Sequence, residues 1–210
     1  EGHDFYRPLR EGTLPTIGFK NFSPSIKREE LSSRKTEFVF FSNSPFERGF
    51  MSDWADGISD AADQFDALIK LHAMLPADVK SGFTVRWHPN LTNAGPGLRE
   101  SLRTCANATP DFFHVYPESN IDSRDLMREA RVVITNGSTL GVEATSEGKP
   151  SILLGVAGYS GMGAVYEASS VAEVSQLLRG SLRPKAVAGA HKFGYYQARF
   201  GNHNNTYVTW

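Results

Sequence analysis

The residues best placed to do chemistry lie in the segment Val132-Val133-Ile134-Thr135-Asn136-Gly137-Ser138-Thr139-Leu140-Gly141-Val142-Glu143-Ala144. Its apolar start reads as a strand that runs into a tight Asn136-Gly137 turn. Ser138 and Thr139 then open a helix, and Glu143 follows about one turn later. The start of a helix carries unpaired N–H groups and a partial positive charge, which suits a phosphate group. A carboxylate one turn further on suits the hydroxyls of a ribose, because it only accepts hydrogen bonds. The plainer alternative is that Ser138 does no more than cap the helix, as serine often does.

A second segment, Phe83-Thr84-Val85-Arg86-Trp87-His88-Pro89-Asn90, alternates as a strand and stops at Pro89. His88 is thereby expected at a strand's carboxyl end, the side on which open parallel sheets bind ligands. The Asn-Gly-Ser-Thr turn also follows a strand's carboxyl end, so both sets of polar groups can face one crevice. A histidine alone is more often structural. Two polar sites at matching strand ends favour a binding function.

Strands and helices must alternate to position these groups. Glu37 to Phe41 reads as the first strand, ended by the small polar loop Ser42-Asn43-Ser44-Pro45. A helix is expected to start near Ser52 or Asp53, with Trp54, Ile58, Ala61, Phe65, Leu68 and Leu75 at three-and-four spacing. His72 falls on that stripe and reads as a partly buried helix residue. Asp53, Asp56, Asp60 and Asp63 read as its solvated face. Residues 83–88 form the second strand, Leu98, Leu102 and Cys105 mark a helix, and Phe112 to Tyr116 a third strand. Asp122-Ser123-Arg124-Asp125 opens a helix through Ala130 with a cap-like pattern. Val132 to Thr135 is the fourth strand, residues 138–147 its helix, and Ser151 to Leu154 the fifth strand. A glycine-rich loop from Gly155 to Gly163 holds Tyr159 and Ser160, Ser170 with Glu173 caps a helix over 171–179, and Ala186 to Phe200 forms a last helix that Gly189 and Gly194 weaken. This alternation predicts an α/β fold, a Rossmann-like doubly wound parallel sheet with right-handed crossovers. The divisions expected are an irregular arm or linker over 1–36, a body over 37–182 and a helical extension over 183–210. Phe5, Tyr6, Leu9, Ile17, Phe19 and Phe22 make the arm too apolar for a solvated tail.

Composition bounds the function. The chain has 210 residues, is 40% hydrophobic and carries a net charge of -1. That suits one domain with an arm, and without a basic block it argues against nucleic-acid partners. Cys105 is the only cysteine, so no internal disulfide forms, and it reads as a small core residue. No apolar run approaches the roughly 20 residues needed to cross a bilayer, and no signal peptide is evident. No metal site is expected, because no His/Asp/Glu cluster has ligand spacing. The sequence opens at Glu1 rather than Met, so we expect a trimmed chain or a piece of a larger protein.

Taken together, Arg86-Trp87-His88-Pro89-Asn90, the helix of Asp125-Leu126-Met127, Ile134-Thr135-Asn136-Gly137-Ser138-Thr139 and Glu143-Ala144 followed by Gly148-Lys149-Pro150 resemble the donor-binding, C-terminal half of two-domain GT-B glycosyltransferases. The nearest likeness is to bacterial capsule polysaccharide proteins, including Kdo transferases. The layout is also similar to UDP-N-acetylglucosamine 2-epimerases and teichoic-acid glycerophosphotransferases, over about residues 37–180. The resemblance implies that His88 and Ser138-Thr139 contact the donor phosphate and that Glu143 holds the nucleotide ribose. Arg86, Asn90, Asn136 and Gly137, with the loop Ser42, Asn43 and Ser44, complete the expected substrate-binding set. The epimerase pattern is Asp-Ser-Gly-Gly, where this chain has Asn136-Gly137-Ser138-Thr139, which lowers that reading.

The function implied is nucleotide-sugar donor binding in a glycosyltransferase of bacterial surface polysaccharide synthesis. The donor is a CMP- or UDP-linked sugar bound as substrate, with no separate cofactor. A glycan or lipid-linked acceptor is expected through an N-terminal domain outside this sequence, and with it the catalytic base, for which no candidate stands out here. The expected location is cytoplasmic, or peripheral at the inner membrane face. The alternatives are a 2-epimerase-like enzyme and a non-catalytic interaction module on the same fold.

Overall fold

A computed structural model of the chain describes residues 2–11, 36–44 and 57–201. Its centre is a six-stranded sheet, every neighbouring pair parallel, in the spatial order β3-β2-β1-β4-β5-β6. The strands are β1 (Phe38–Phe41), β2 (Phe83–Arg86), β3 (Phe113–Val115), β4 (Val132–Thr135), β5 (Ser151–Leu154) and β6 (Tyr166–Ala168). The chain builds outward from β1 to β3, then returns past its start to lay β4, β5 and β6 on the other side. The order reverses between β1 and β4, where a doubly wound sheet leaves its ligand crevice.

The strands are short apolar runs because both faces of the sheet are covered. All residues of β1, β2, β4 and β5 are buried. Period-two alternation sends Phe38 and Phe40 into one layer and Val39 and Phe41 into the other. The first layer is filled by the helices Gln64–Met74, Pro96–Ala108 and Val171–Arg179. The second contains Leu126 and Met127 of the helix Ser123–Glu129 and Ala144 of the helix Leu140–Ser146. Beyond β5, Leu153 and Val142 pack with Tyr159, Phe193 of the helix Val187–Tyr196, and Tyr6.

Several local expectations need correction. The helix expected from about Ser52 begins at Gln64, and residues 57–63 are not helical; Trp54, Asp53 and Asp56 lie outside the described residues. Of the acidic series, the described members Asp60 and Asp63 are caps rather than a solvated helix face. Asp63 accepts from the amides of Phe65 and Asp66. Asp60 reaches across to the amides of Val171 and Ala172, at 2.8 and 3.2 Å, and so caps a helix more than a hundred residues away. The edge strand β6 was not anticipated, because three residues with two partly or fully exposed carry no periodic signal.

Residues 2–10 of the expected irregular arm form two short helical segments, Gly2–Phe5, which is seated on the last helix, and Arg7–Arg10. The buried Tyr6 hydroxyl donates to the Ala190 carbonyl at 2.7 Å. Gly189 and Gly194 mark close approaches within that helix rather than weak points: a Cβ on them would come within 2.5 Å of Ala164 N and Gly2 O respectively. After Tyr196 the chain widens into a π-helical turn, Gln197–Gly201.

Candidate functional site

Register builds the site. Phe41, the last residue of β1, pairs with Arg86 at the end of β2 and with Thr135 at the end of β4. Three strands therefore stop at one level, and the residues that follow each of them emerge along one rim. Ser42 ties two of these exits together, its hydroxyl accepting from the His88 amide at 2.7 Å.

His88 lies two residues past β2 and caps the 3-10 turn Pro89–Asn93. Its Nδ1 accepts from the Asn90 amide at 3.1 Å. That bond fixes the neutral ring with its hydrogen on Nε2, so His88 is held as a donor. Asn90 acts here through its backbone, pinning the ring.

Arg86 is 4% exposed and charged. Its Nη1 donates to the Tyr116 carbonyl at 2.7 Å and its Nη2 to the Ser119 carbonyl at 3.3 Å. Burial pulls its pKa down to about 10, against the opposing pull of Asp122 and Glu118, and the group stays cationic at neutral pH. Arg86 thus shapes the segment after β3 and brings a positive charge to the crevice wall.

On the β4 side, Gly137 takes a φ of +92°, which the turn requires and a residue with a Cβ rarely adopts. Ser138 and Thr139 follow it, and the helix proper starts at Leu140. The Ser138 hydroxyl accepts from the Leu140 amide at 3.3 Å, and the Thr139 hydroxyl donates to Glu143 Oε1 at 3.1 Å. The other oxygen of Glu143 accepts from Arg124 Nε at 3.1 Å, with Glu143 7% exposed. The carboxylate is therefore already balanced by a guanidinium in the crevice. The helix has only seven residues, so its dipole is a smaller part of the site than the side chains around it.

These groups share one cleft of about 490 Å³. Ser42, Arg86, His88, Ser138, Thr139 and Glu143 all line it. Asn43, Ser44, Asn90, Asn136 and Gly137 do not line it. Asn136 is fully buried beneath the rim, donating to the Leu154 carbonyl at 2.8 Å and accepting from Asn43 Nδ2 at 2.7 Å. Asn43 in turn exchanges bonds with the Gln64 amide, at 2.9 and 3.2 Å. These two asparagines are a cross-tie under the loops, because a buried amide must satisfy both ends within the protein. Ser44 is buried, and its hydroxyl has no hydrogen-bond partner among the described residues.

The far wall of the cleft is the segment Ser119 to Arg124, of which only Asp122 onward is expected from sequence, as a helix start. Asp122 does cap that helix, accepting from the Arg124 amide at 2.7 Å, and the cap turns Arg124 toward Glu143. The available signal was a cation on the first turn of a helix that follows a strand's carboxyl end.

Elsewhere, His72 is partly buried as expected, edge-on to Phe112 and paired with Asp111 at 2.8 Å, and Cys105 is buried with its thiol pushed up to about 12 by burial. Among the described residues no group of three His, Cys, Asp or Glu is placed to hold a metal ion, and no helix is long and apolar enough to cross a membrane.

No protein-family model and no curated protein matches the chain. Solved structures do. The KpsC beta Kdo 2,4 transferase of Thermosulfurimonas dismutans aligns with a TM-score of 0.50 at 13% identity, over 90% of this chain and 52% of its own. A trehalose-6-phosphate synthase, solved in work on glycosyltransfer with retention, aligns at 0.50 and 12% identity, over 98% of this chain and 50% of its own. The UDP co-structure of S. aureus MnaA aligns at 0.48 and 12% identity, over 92% of this chain and 51% of its own. The chain spans about half the length of the structures it matches. At such identities the likeness is one of fold: the chain is a Rossmann-like α/β domain of the kind that builds the GT-B-type folds of the two neighbours at 0.50.

Proposed function

We propose that this chain binds the nucleotide-sugar donor of a glycosyltransferase acting in bacterial surface polysaccharide synthesis. One observation carries the reading. At the point where the strand order reverses, His88, Ser138, Thr139, Arg86 and Arg124 line a single cleft beyond the carboxyl ends of β1, β2 and β4. Donors and cations concentrated in one concave site suit the phosphate of a CMP- or UDP-linked sugar. The structural neighbours, which include a Kdo transferase and a trehalose-6-phosphate synthase, support the transferase class.

In transfer, an acceptor hydroxyl attacks the sugar carbon, the bond from that carbon to the phosphate oxygen breaks, and the phosphate leaves with added negative charge. The Nε2–H of His88 and the guanidinium of Arg124 are fixed in advance where that charge develops, which is how an electrostatic site lowers a barrier. Glu143, steadied by Arg124 and Thr139, holds ribose hydroxyls. A glycan or lipid-linked acceptor and its base come from a second domain, because one sheet domain supplies one wall of a cleft, and two are needed to exclude water and align the acceptor.

Calorimetry of the chain with CMP, CDP, UDP and GDP tests the reading. Saturable binding of one of them, weakened by Arg124→Gln, is expected. No binding by any of the four at millimolar concentration overturns it. Transfer at roughly 1 per second or more by this chain alone, an ordinary enzyme rate, overturns the assignment of the base to a second domain.

A further inference from the structure

Tyr159 lies in the glycine-rich segment after β5 and is 1% exposed. It does not line the cleft, yet its hydroxyl donates to the Ser138 carbonyl at 2.7 Å. The same oxygen lies 3.0 Å from Thr135 Oγ1 at the end of β4. The phenol has one hydrogen, and Ser138 takes it, so Thr135 is the donor of the second bond. The result is a relay from Thr135 through Tyr159 to the Ser138 carbonyl, in which each bond polarises the next. The relay passes over the bare α-carbon of Gly141, where a Cβ would come within 2.7 Å of the Tyr159 oxygen and 2.9 Å of the Thr135 oxygen. The ring is backed edge-on by Phe193, with centroids 5.6 Å apart.

We propose that Tyr159 is a positioning residue of the donor cleft, holding the Ser138 carbonyl, which also accepts from the Gly141 amide at 3.2 Å, behind the turn so that the Thr139 N–H faces an anionic phosphoryl group. In a trans peptide the carbonyl and the following N–H point in opposite directions, so fixing one aims the other. Ser138 and Thr139 both line the cleft, and a carbonyl turned into it would repel the phosphate that the N–H attracts. This assignment rests on the donor-binding reading for its ligand, but the anchoring of the turn does not.

The test uses Tyr159→Phe, which keeps the ring and removes the hydroxyl. Hydrogen exchange without ligand is measured first at the amides of residues 139–143 and at those of β4 and β5. Exchange in the turn is expected to rise roughly two- to twelvefold, the range of one net hydrogen bond, with the strands unchanged. Calorimetry then compares UDP with uridine, and CMP with cytidine. Affinity for the nucleotide should fall by a similar factor while affinity for the nucleoside stays, a split that general loosening would not give. Unchanged exchange in the turn, or equal losses for nucleotide and nucleoside, overturns the proposal. If the wild-type chain binds neither UDP nor CMP, the donor reading fails and the phosphoryl ligand with it, while the exchange result still decides whether Tyr159 anchors the turn. Should Tyr159→Phe fail to fold, Thr135→Val removes the donor that feeds the relay, and its exchange pattern is judged in the same way.

Discussion

Replacing Gly141 with alanine should destabilise the protein, although helix propensity alone says the opposite. Gly141 is the second residue of the helix Leu140–Ser146. At an ordinary helical position the change to alanine gains about 0.5–1 kcal/mol. Here the added methyl would lie 2.7 Å from the Tyr159 hydroxyl, 2.9 Å from Thr135 Oγ1 and 3.3 Å from Ser151 Oγ. Forcing extra volume into a packed interior costs about 1–3 kcal/mol. Moving the Tyr159 hydroxyl breaks two hydrogen bonds, at about 1 kcal/mol each. The balance is a net loss of about 2–4.5 kcal/mol, or a melting temperature lowered by roughly 4–18 °C at this chain length. Urea and thermal denaturation measure it. Gly97 is the matched control, since no atom lies within 4 Å of a Cβ built there, and Gly97→Ala should match or slightly exceed the wild type. A Gly141→Ala protein as stable as wild type would refute the close packing of Tyr159 and Thr135 over this helix, and with it the relay.

Three further outcomes follow from particular side chains. His88→Ala should weaken binding of the nucleotide that the wild type takes up by roughly tenfold or more, the worth of one bond to a charged group, and His88→Gln, which keeps a donor, should weaken it less; equal losses in calorimetry would remove His88 from the phosphate. His114 is half-buried, and that burial lowers its pKa below the ordinary 6.5, while Trp87 Nε1 donates to its Nδ1 at 3.2 Å and so requires the neutral ring. The unfolded chain therefore binds the proton more readily. Stability attributable to His114 should be complete above pH 6.5 and decline as the pH falls below it, until the folded-state value is passed. Denaturation curves of wild type and His114→Gln that run parallel from pH 7 to 5 would refute this. Cys105 should resist a disulfide-exchange reagent in the native protein and react fully in urea, because its thiol is buried and stays protonated; stoichiometric reaction in the native state would contradict its place in the core.

What the sequence determined by itself is what depends on near neighbours. The alternation of strand and helix, the turn at Asn136-Gly137, and the cap at Ser170 all rest on groups within about four residues of one another, and they were legible. The same locality misled at Asp60, whose spacing matched a helix face but whose carboxylate satisfies the distant amides of Val171 and Ala172. The parallel sheet followed from the alternation, but the common rim did not. Only the register Phe41–Arg86 and Phe41–Thr135 brings His88 and Ser138 into one cleft. Tertiary structure also sorted residues that look alike in the chain. Asn136 turned inward because a buried amide had Leu154 and Asn43 to satisfy it, while Ser138, two residues on, reached the cleft. Arg124 carried only the weak signal of a cation on the first turn of a helix after a strand, and Tyr159 carried none, for the same reason. Their partners, Glu143 and Ser138, stand 19 and 21 residues away in sequence, and no local pattern encodes a hydrogen bond that exists only once two separate βα units have packed together.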